Sequence, residues 1–175
     1  MKNAKLAAYS GVVSALSVIL LFIGSISFSL GYVMPIVSGL LMIFLIESVS
    51  YKSAFISYIS TCVLSLLLLN DKETALFYVL FFGYYPILRT YLCKIKPIIV
   101  RIILKLIIFN ISMLSVQLFL IYLFNIPFDN TYGKIGIILF ALSLNFIFIM
   151  YDITYDKLII IYERKIKQKL SKIIK

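Results

Sequence analysis

Histidine and tryptophan are both absent from the 175 residues. Without His the chain loses the commonest general base and the commonest metal ligand. Cysteine occurs only twice, at Cys62 and Cys93, in or at the edge of apolar runs. That spacing suggests no metal site, and both are expected as free thiols acting as small apolar side chains. Acidic residues are also scarce, seven against 17 Lys and Arg. They are scattered along the chain, and Asp71 with Glu73 reads as a polar turn. There is no His-based zinc motif, no Gly-rich phosphate loop with Lys-Ser or Lys-Thr, no Gly-x-Ser-x-Gly and no aspartate cluster in an apolar segment. These absences argue against an enzyme, and no cofactor or metal site is expected. Long polar stretches are missing too, so no part of the chain has the composition of a separate soluble domain.

What remains is hydrophobic. Apolar residues make up 63% of the chain, against roughly 45–50% in a soluble domain, and the mean hydropathy is +1.09. The excess sits in six runs, each near the ~20 residues that a membrane-spanning helix needs. In lipid, backbone groups must pair within each segment, so the spans are expected to be helices. The expected segments are Leu6–Ile23, Gly31–Ile46, Ser53–Leu69, Thr74–Leu92, Ile98–Phe124 and Ile135–Tyr155. Pro35 is placed in the first turn of the second segment, where a missing N–H costs little. The uncharged stretch GSISFSLG is read as the first loop and NIPFDNTYGK as the last. The fold class is therefore all-α: a polytopic membrane protein with one six-helix transmembrane domain over 1–156. The basic start and apolar core of the N-terminus resemble a signal peptide, but no convincing small-x-small cleavage site follows, and an uncleaved first helix is expected.

The net charge of +10 does not indicate nucleic acid, because most basic residues flank the apolar runs. With both termini on one side, that side carries Lys2, Lys5, Lys52, Arg89, Lys94, Lys96, Arg101, Lys105 and the seven basic residues from Lys157 to Lys175; the other carries only Lys72 and Lys134. This asymmetry predicts an even number of spans and cytoplasmic termini, in a bacterial cytoplasmic membrane. The tail, 157–175, reads as a basic amphipathic cytoplasmic helix, with Ile159, Ile166, Leu170 and Ile173 at helical spacing. It is expected either to anchor on anionic lipid or to dock a cytoplasmic partner.

Polar groups inside spans mark the candidate site. The stretch Phe81–Leu92, FFGYYPILRTYL, combines Gly83, a tyrosine pair, Pro86 and Arg89 in one apolar run. Tyr78, Tyr85 and Arg89 share a helical face, and Pro86 frees the carbonyl of Phe82, which predicts a kink. It reads either as a packing kink or as the lining of a pocket or moving contact. Asn110 and Gln117 in the fifth segment are seven apart, as are Asn145 and Asp152 in the sixth. Both pairs are expected to face other helices, as interhelical hydrogen bonds or as ligand contacts. Asp152 is expected to pair with Arg89 or Lys105, as a lock between helices or as a gate. In the first segment Ala7, Gly11 and Ala15 form a small-xxx-small face, suited to internal packing or to docking another membrane subunit.

Two resemblances follow from these residues. The block Phe81-Phe82-Gly83-Tyr84-Tyr85-Pro86-Ile87-Leu88-Arg89, with Lys105, Asn110 and Phe148-Ile149-Met150-Tyr151-Asp152, resembles a family of uncharacterised bacterial six-helix membrane proteins and brings no function with it. The order Lys5-Leu6-Ala7-Ala8 and Ala15-Leu16-Ser17-Val18-Ile19-Leu20, six spans and cytoplasmic termini resemble the substrate-binding S subunits of energy-coupling-factor transporters. That resemblance implies an S-subunit-like bundle that binds a vitamin or metal ion from outside. It also implies docking through the small residues of the first helix on a transmembrane scaffold subunit driven by ATPases. The chain departs from S subunits in lacking Trp and His and in its long basic tail. The alternative is a ligand-free membrane scaffold of envelope or cell-shape machinery, similar in size to the rod-shape-determining membrane proteins.

Overall fold

The computed structural model describes residues 2–125, 133–162 and 164, and its regular structure among them is helical. In chain order these are α1 (Lys2–Ile26), α2 (Phe28–Ser48), α3 (Tyr51–Leu68), α4 (Lys72–Phe77), a π-helical turn (Tyr78–Phe82), α5 (Tyr85–Leu92), α6 (Ile98–Phe124) and α7 (Gly133–Ile161). Six segments are long and apolar enough to cross a membrane: one each in α1, α2, α3, α6 and α7, and Lys72–Leu92, which joins α4 to α5. The chain is a multi-pass membrane protein. Its helices follow from the solvent, since lipid offers a backbone N–H or C=O no partner. Large apolar side chains such as Val12, Ile19, Ile59, Leu67, Leu114 and Leu118 stand exposed, as suits surfaces that lipid tails cover.

The chain divides into two compact units, Met1–Asp129 and Asn130–Lys175. In the first, α1 packs on α2 and α3, and the core gathers Val13, Leu21, Met42, Leu45, Ala54, Leu69, Ala75 and Tyr78. Ser10 and Ser14 of α1 meet Ser53 and Ser57 of α3 in the same order, so these two helices run in the same direction. The second unit contains α7.

The structure corrects the expected segments at four places. The first loop is far tighter than GSISFSLG suggested: only Ser27 separates α1 from α2. Gly24 makes this possible by space, since a Cβ there would lie 2.8 Å from Cβ of Met34. Because α2 begins at Phe28, Pro35 lies inside it rather than in its first turn. The fourth span is not one α-helix but α4, a π turn and α5. Finally, α7 runs through the expected boundary at 156 to Ile161, so its apolar stripe continues beyond Tyr155. The amphipathic helix expected over 157–175 falls mostly outside the described residues, as does most of the NIPFDNTYGK loop. Ile98–Phe124 is observed as expected, opened by Pro97 and closed by Asn125 in the left-handed region at φ 52°.

Candidate functional site: a hydroxyl-lined interior beside an interrupted span

The fourth span begins at Asp71, whose carboxylate caps α4. Its oxygens accept from the N–H of Glu73 (3.0 Å) and of Thr74 (3.3 Å) and from the Thr74 hydroxyl. Beside it the Tyr32 hydroxyl donates to Glu73 Oε1 at 2.8 Å, tying α2 to this end of the span. Lys72 turns back and donates to the carbonyls of Leu66 and Leu69, closing the end of α3.

One turn further the helix loosens. Gly83 N–H reaches back five residues to Tyr78 O at 2.8 Å. The helix restarts at Tyr85 with Pro86 in its first turn, where its missing N–H has no helical partner to lose. The predicted break is therefore present but lies upstream of Pro86. A helix continuing unbroken through Pro86 would strand the Phe82 carbonyl in an apolar interior; the extra residue of the π turn avoids that geometry.

Aromatic rings fill the break. Phe81, fully buried, stacks on Tyr85 at 4.8 Å and meets Phe82 and the Phe109 ring of α6 edge-on at 5.1 and 5.0 Å. Tyr84 shares a 2.8 Å hydrogen bond with Ser112 of α6. The Tyr58 hydroxyl of α3 donates to Val79 O, inside the π turn, at 2.8 Å. The Tyr58 ring lies against Gly83, where a Cβ would approach within 2.6 Å of it.

The buried faces of α1, α2 and α3 carry hydroxyls. Ser10, Ser14 and Ser17 of α1, Ser38 of α2 and Ser53, Ser57, Thr61 and Ser65 of α3 are all buried. Ser14 donates to Ser10 O and so accepts from the Ser57 hydroxyl, at 2.8 Å each. The seam then changes character. Ser17, Ser38, Thr61 and Tyr78 are each fully buried, and none of their hydroxyls meets a hydrogen-bond partner among the described residues. The Tyr78 hydroxyl lies beside those of Thr61 and Ser38, in range to interact but without hydrogen-bond geometry. The register that pairs Ser10 with Ser53 and Ser14 with Ser57 brings Ser17 level with Thr61. A buried hydroxyl left unpaired costs about 1–3 kcal/mol, so four together form an unusual place in this interior.

The residues singled out from sequence are distributed as follows. Tyr78, Tyr85, Pro86 and Arg89 are all buried along the interrupted span. Lys105 is buried on α6, on the stripe that includes Phe109, Ser112, Val116 and Leu120. Asn110 lies off that stripe, exposed, and its amide donates to Leu106 O of its own helix at 2.8 Å. Gln117 is half-buried. In the second unit, Asn145 and Asp152 are half-buried on α7, and Asn145 likewise donates to its own helix, at Ala141 O. The pairing of Asp152 with Arg89 or Lys105 remains an expectation. Ala7, Gly11 and Ala15 are exposed, and a Cβ on Gly11 would meet nothing within 4 Å.

No protein-family model, curated protein or solved structure matches the chain. The site therefore rests on its own geometry. Sequence reading overlooked the hydroxyl stripe, although the signal was there: Ser53, Ser57, Thr61 and Ser65 recur every four residues, and Ser10, Ser14 and Ser17 follow at four and three. Small polar residues at these intervals form one helix face as surely as Ala and Gly do.

Proposed function

We propose that this chain is a membrane-embedded binding subunit of the energy-coupling-factor kind, acting in the bacterial cytoplasmic membrane. On this reading it binds a small molecule and catalyses nothing. Both termini are cytoplasmic, as the basic side chains favour, and the basic tail rests on anionic lipid. The chain docks on a transmembrane scaffold subunit with ATPases through Ala7, Gly11 and Ala15.

The observation that carries this reading is the two-sidedness of α1. Its serine face packs on α3, with Ser14 and Ser57 in hydrogen-bond contact. Its Ala7–Gly11–Ala15 face stands exposed, with open space at Gly11. A small-residue face that internal packing leaves open suits the close approach of another helix in lipid. The interrupted fourth span supports the binding half of the proposal, since broken spans near polar side chains are where membrane transporters hold substrates.

The test is a mild-detergent pull-down with mass spectrometry, run on the parent chain and on Gly11→Leu. A transport scaffold and ATPases should copurify with the parent and be lost with Gly11→Leu, while the variant's own melting temperature is unchanged. Recovery of envelope or cell-shape proteins without any ATPase would refute the transporter reading and favour the scaffold.

A further inference from the structure

Buried hydroxyls gather at one level of the first unit's interior: Tyr78, the first residue of the π turn, lies beside Thr61 of α3 and Ser38 of α2, and the register of α1 on α3 sets Ser17 level with Thr61. All four are fully buried, and within the described protein none has a hydrogen-bond partner. Elsewhere in these helices hydroxyls turn back onto their own backbone: Ser14 to Ser10 O, Ser65 to Cys62 O, Thr90 to Ile87 O and Ser112 to Ile108 O, all within 3.1 Å. The four at the break do not. Tyr78, Thr61 and Ser38 lie side by side, yet none of these hydroxyls reaches hydrogen-bond geometry with another. Ser17, Ser38 and Thr61 each fall in the middle third of their spans, so bulk water at the membrane surface is not what serves them.

We propose that Ser17, Ser38, Thr61 and Tyr78 form a mid-membrane binding site for water, held between α1–α3 and the π turn. The chemistry selects the occupant. The four side chains carry no formal charge, so neither an anion nor a cation is neutralised. Each hydroxyl can give one hydrogen bond and accept others, and one water needs two to four such partners. The cluster is fully enclosed, which favours the smallest hydrogen-bonding molecule over any organic ligand. Water bound here would bridge the first residue of the π turn to three neighbouring helices, fixing where the break sits without a direct side-chain bond. The proposal does not depend on the transporter reading.

Two measurements test it on the full-length protein in detergent. X-ray radiolytic footprinting labels side chains beside ordered water; Tyr78 should be modified severalfold faster than Phe81, an equally enclosed ring without a hydroxyl. Equal protection of the two would overturn the site. Thermal melting then reads the sign of each contribution. Tyr78→Phe, Thr61→Val and Ser38→Ala should each lower the melting temperature by several degrees, and Tyr78→Phe with Thr61→Val should cost less than the sum of the two. If the single variants melt higher than the parent, the hydroxyls are dry and the proposal fails. If replacing sodium by choline abolishes the difference between parent and variants, the occupant is a cation and the proposal fails equally.

Discussion

Gly83→Ala is the sharpest test of the interrupted span. The substitution adds one methyl group, and ordinarily Ala is favoured over Gly in helical backbone by about 1 kcal/mol. Here the backbone of Gly83 is helical, at φ −73°, so conformation alone would make Ala an improvement. Space reverses the sign. The new Cβ would lie 2.6 and 2.8 Å from Cδ2 and Cε2 of Tyr58, and 2.8 Å from Cε1 of Tyr78. Neither ring can move freely. Tyr58 is held through its hydroxyl to Val79 O at 2.8 Å, and Tyr78 is fully buried. Overpacking of this kind costs roughly 1–3 kcal/mol, and swinging Tyr58 aside to relieve it gives up a hydrogen bond of about 1 kcal/mol. The expected loss is about 1–3 kcal/mol after the helix preference of Ala is subtracted. Reversible unfolding of the purified protein in detergent reads it directly. The double variant Gly83→Ala with Tyr58→Leu should recover part of the loss, because the shorter side chain vacates the volume. A Gly83→Ala protein as stable as the parent, or a double variant whose cost is simply additive, would refute the close approach of α3 to the π turn.

Two further predictions follow from other parts of the chain. Asp71→Ala removes the side chain that caps the N–H groups of Glu73 and Thr74, which should cost about 0.5–2 kcal/mol; Asp71→Asn, also a good cap, should cost less in the same unfolding measurement. Cys93 is an exposed free thiol just after α5, whereas Cys62 is half-buried; in a Cys62→Ser background a membrane-impermeant maleimide should label Cys93 in inside-out vesicles and not in right-side-out ones. The reverse labelling would invert the assignment of the basic loops to the cytoplasm.

The spans were legible because lipid selects for one crude property along about twenty residues at a time, and side-chain detail hardly disturbs it. Ile98–Phe124 could be read to the residue because Pro97 opens it and a polar Asn125 closes it. Boundaries failed where polarity was a poor guide to backbone. Gly24, Ser25, Ser27 and Ser29 look like a loop, yet in lipid the helices continue through nearly all of them, since a helix satisfies the backbone and a loop there would not. Pro35 was misplaced for the same reason. The break near Pro86 was legible, because a missing N–H in a span has few resolutions. Its form was not. Whether the chain bends at the proline or inserts a π turn a few residues earlier depends on what α3 and α6 offer, and the contacts of Tyr58 with Val79 and of Phe81 with Phe109 are invisible in a single segment.

The interior shows the limit most clearly in α1. Two small-residue faces run along it, Ala7–Gly11–Ala15 and Ser10–Ser14–Ser17, and hydropathy separates them only weakly. Gly and Ala permit the closest approach, so the first face reads from sequence as suited either to internal packing or to docking another subunit. The fold packs the second, where Ser10 reaches Ser53 and Ser14 reaches Ser57 on α3, and a low-dielectric interior rewards a paired hydroxyl more than a bare close contact. That choice needed both helices in register. Once it is made, the first face is left outward, and Gly11 becomes the position at which a bulky side chain should spare this fold and disturb only what binds to it.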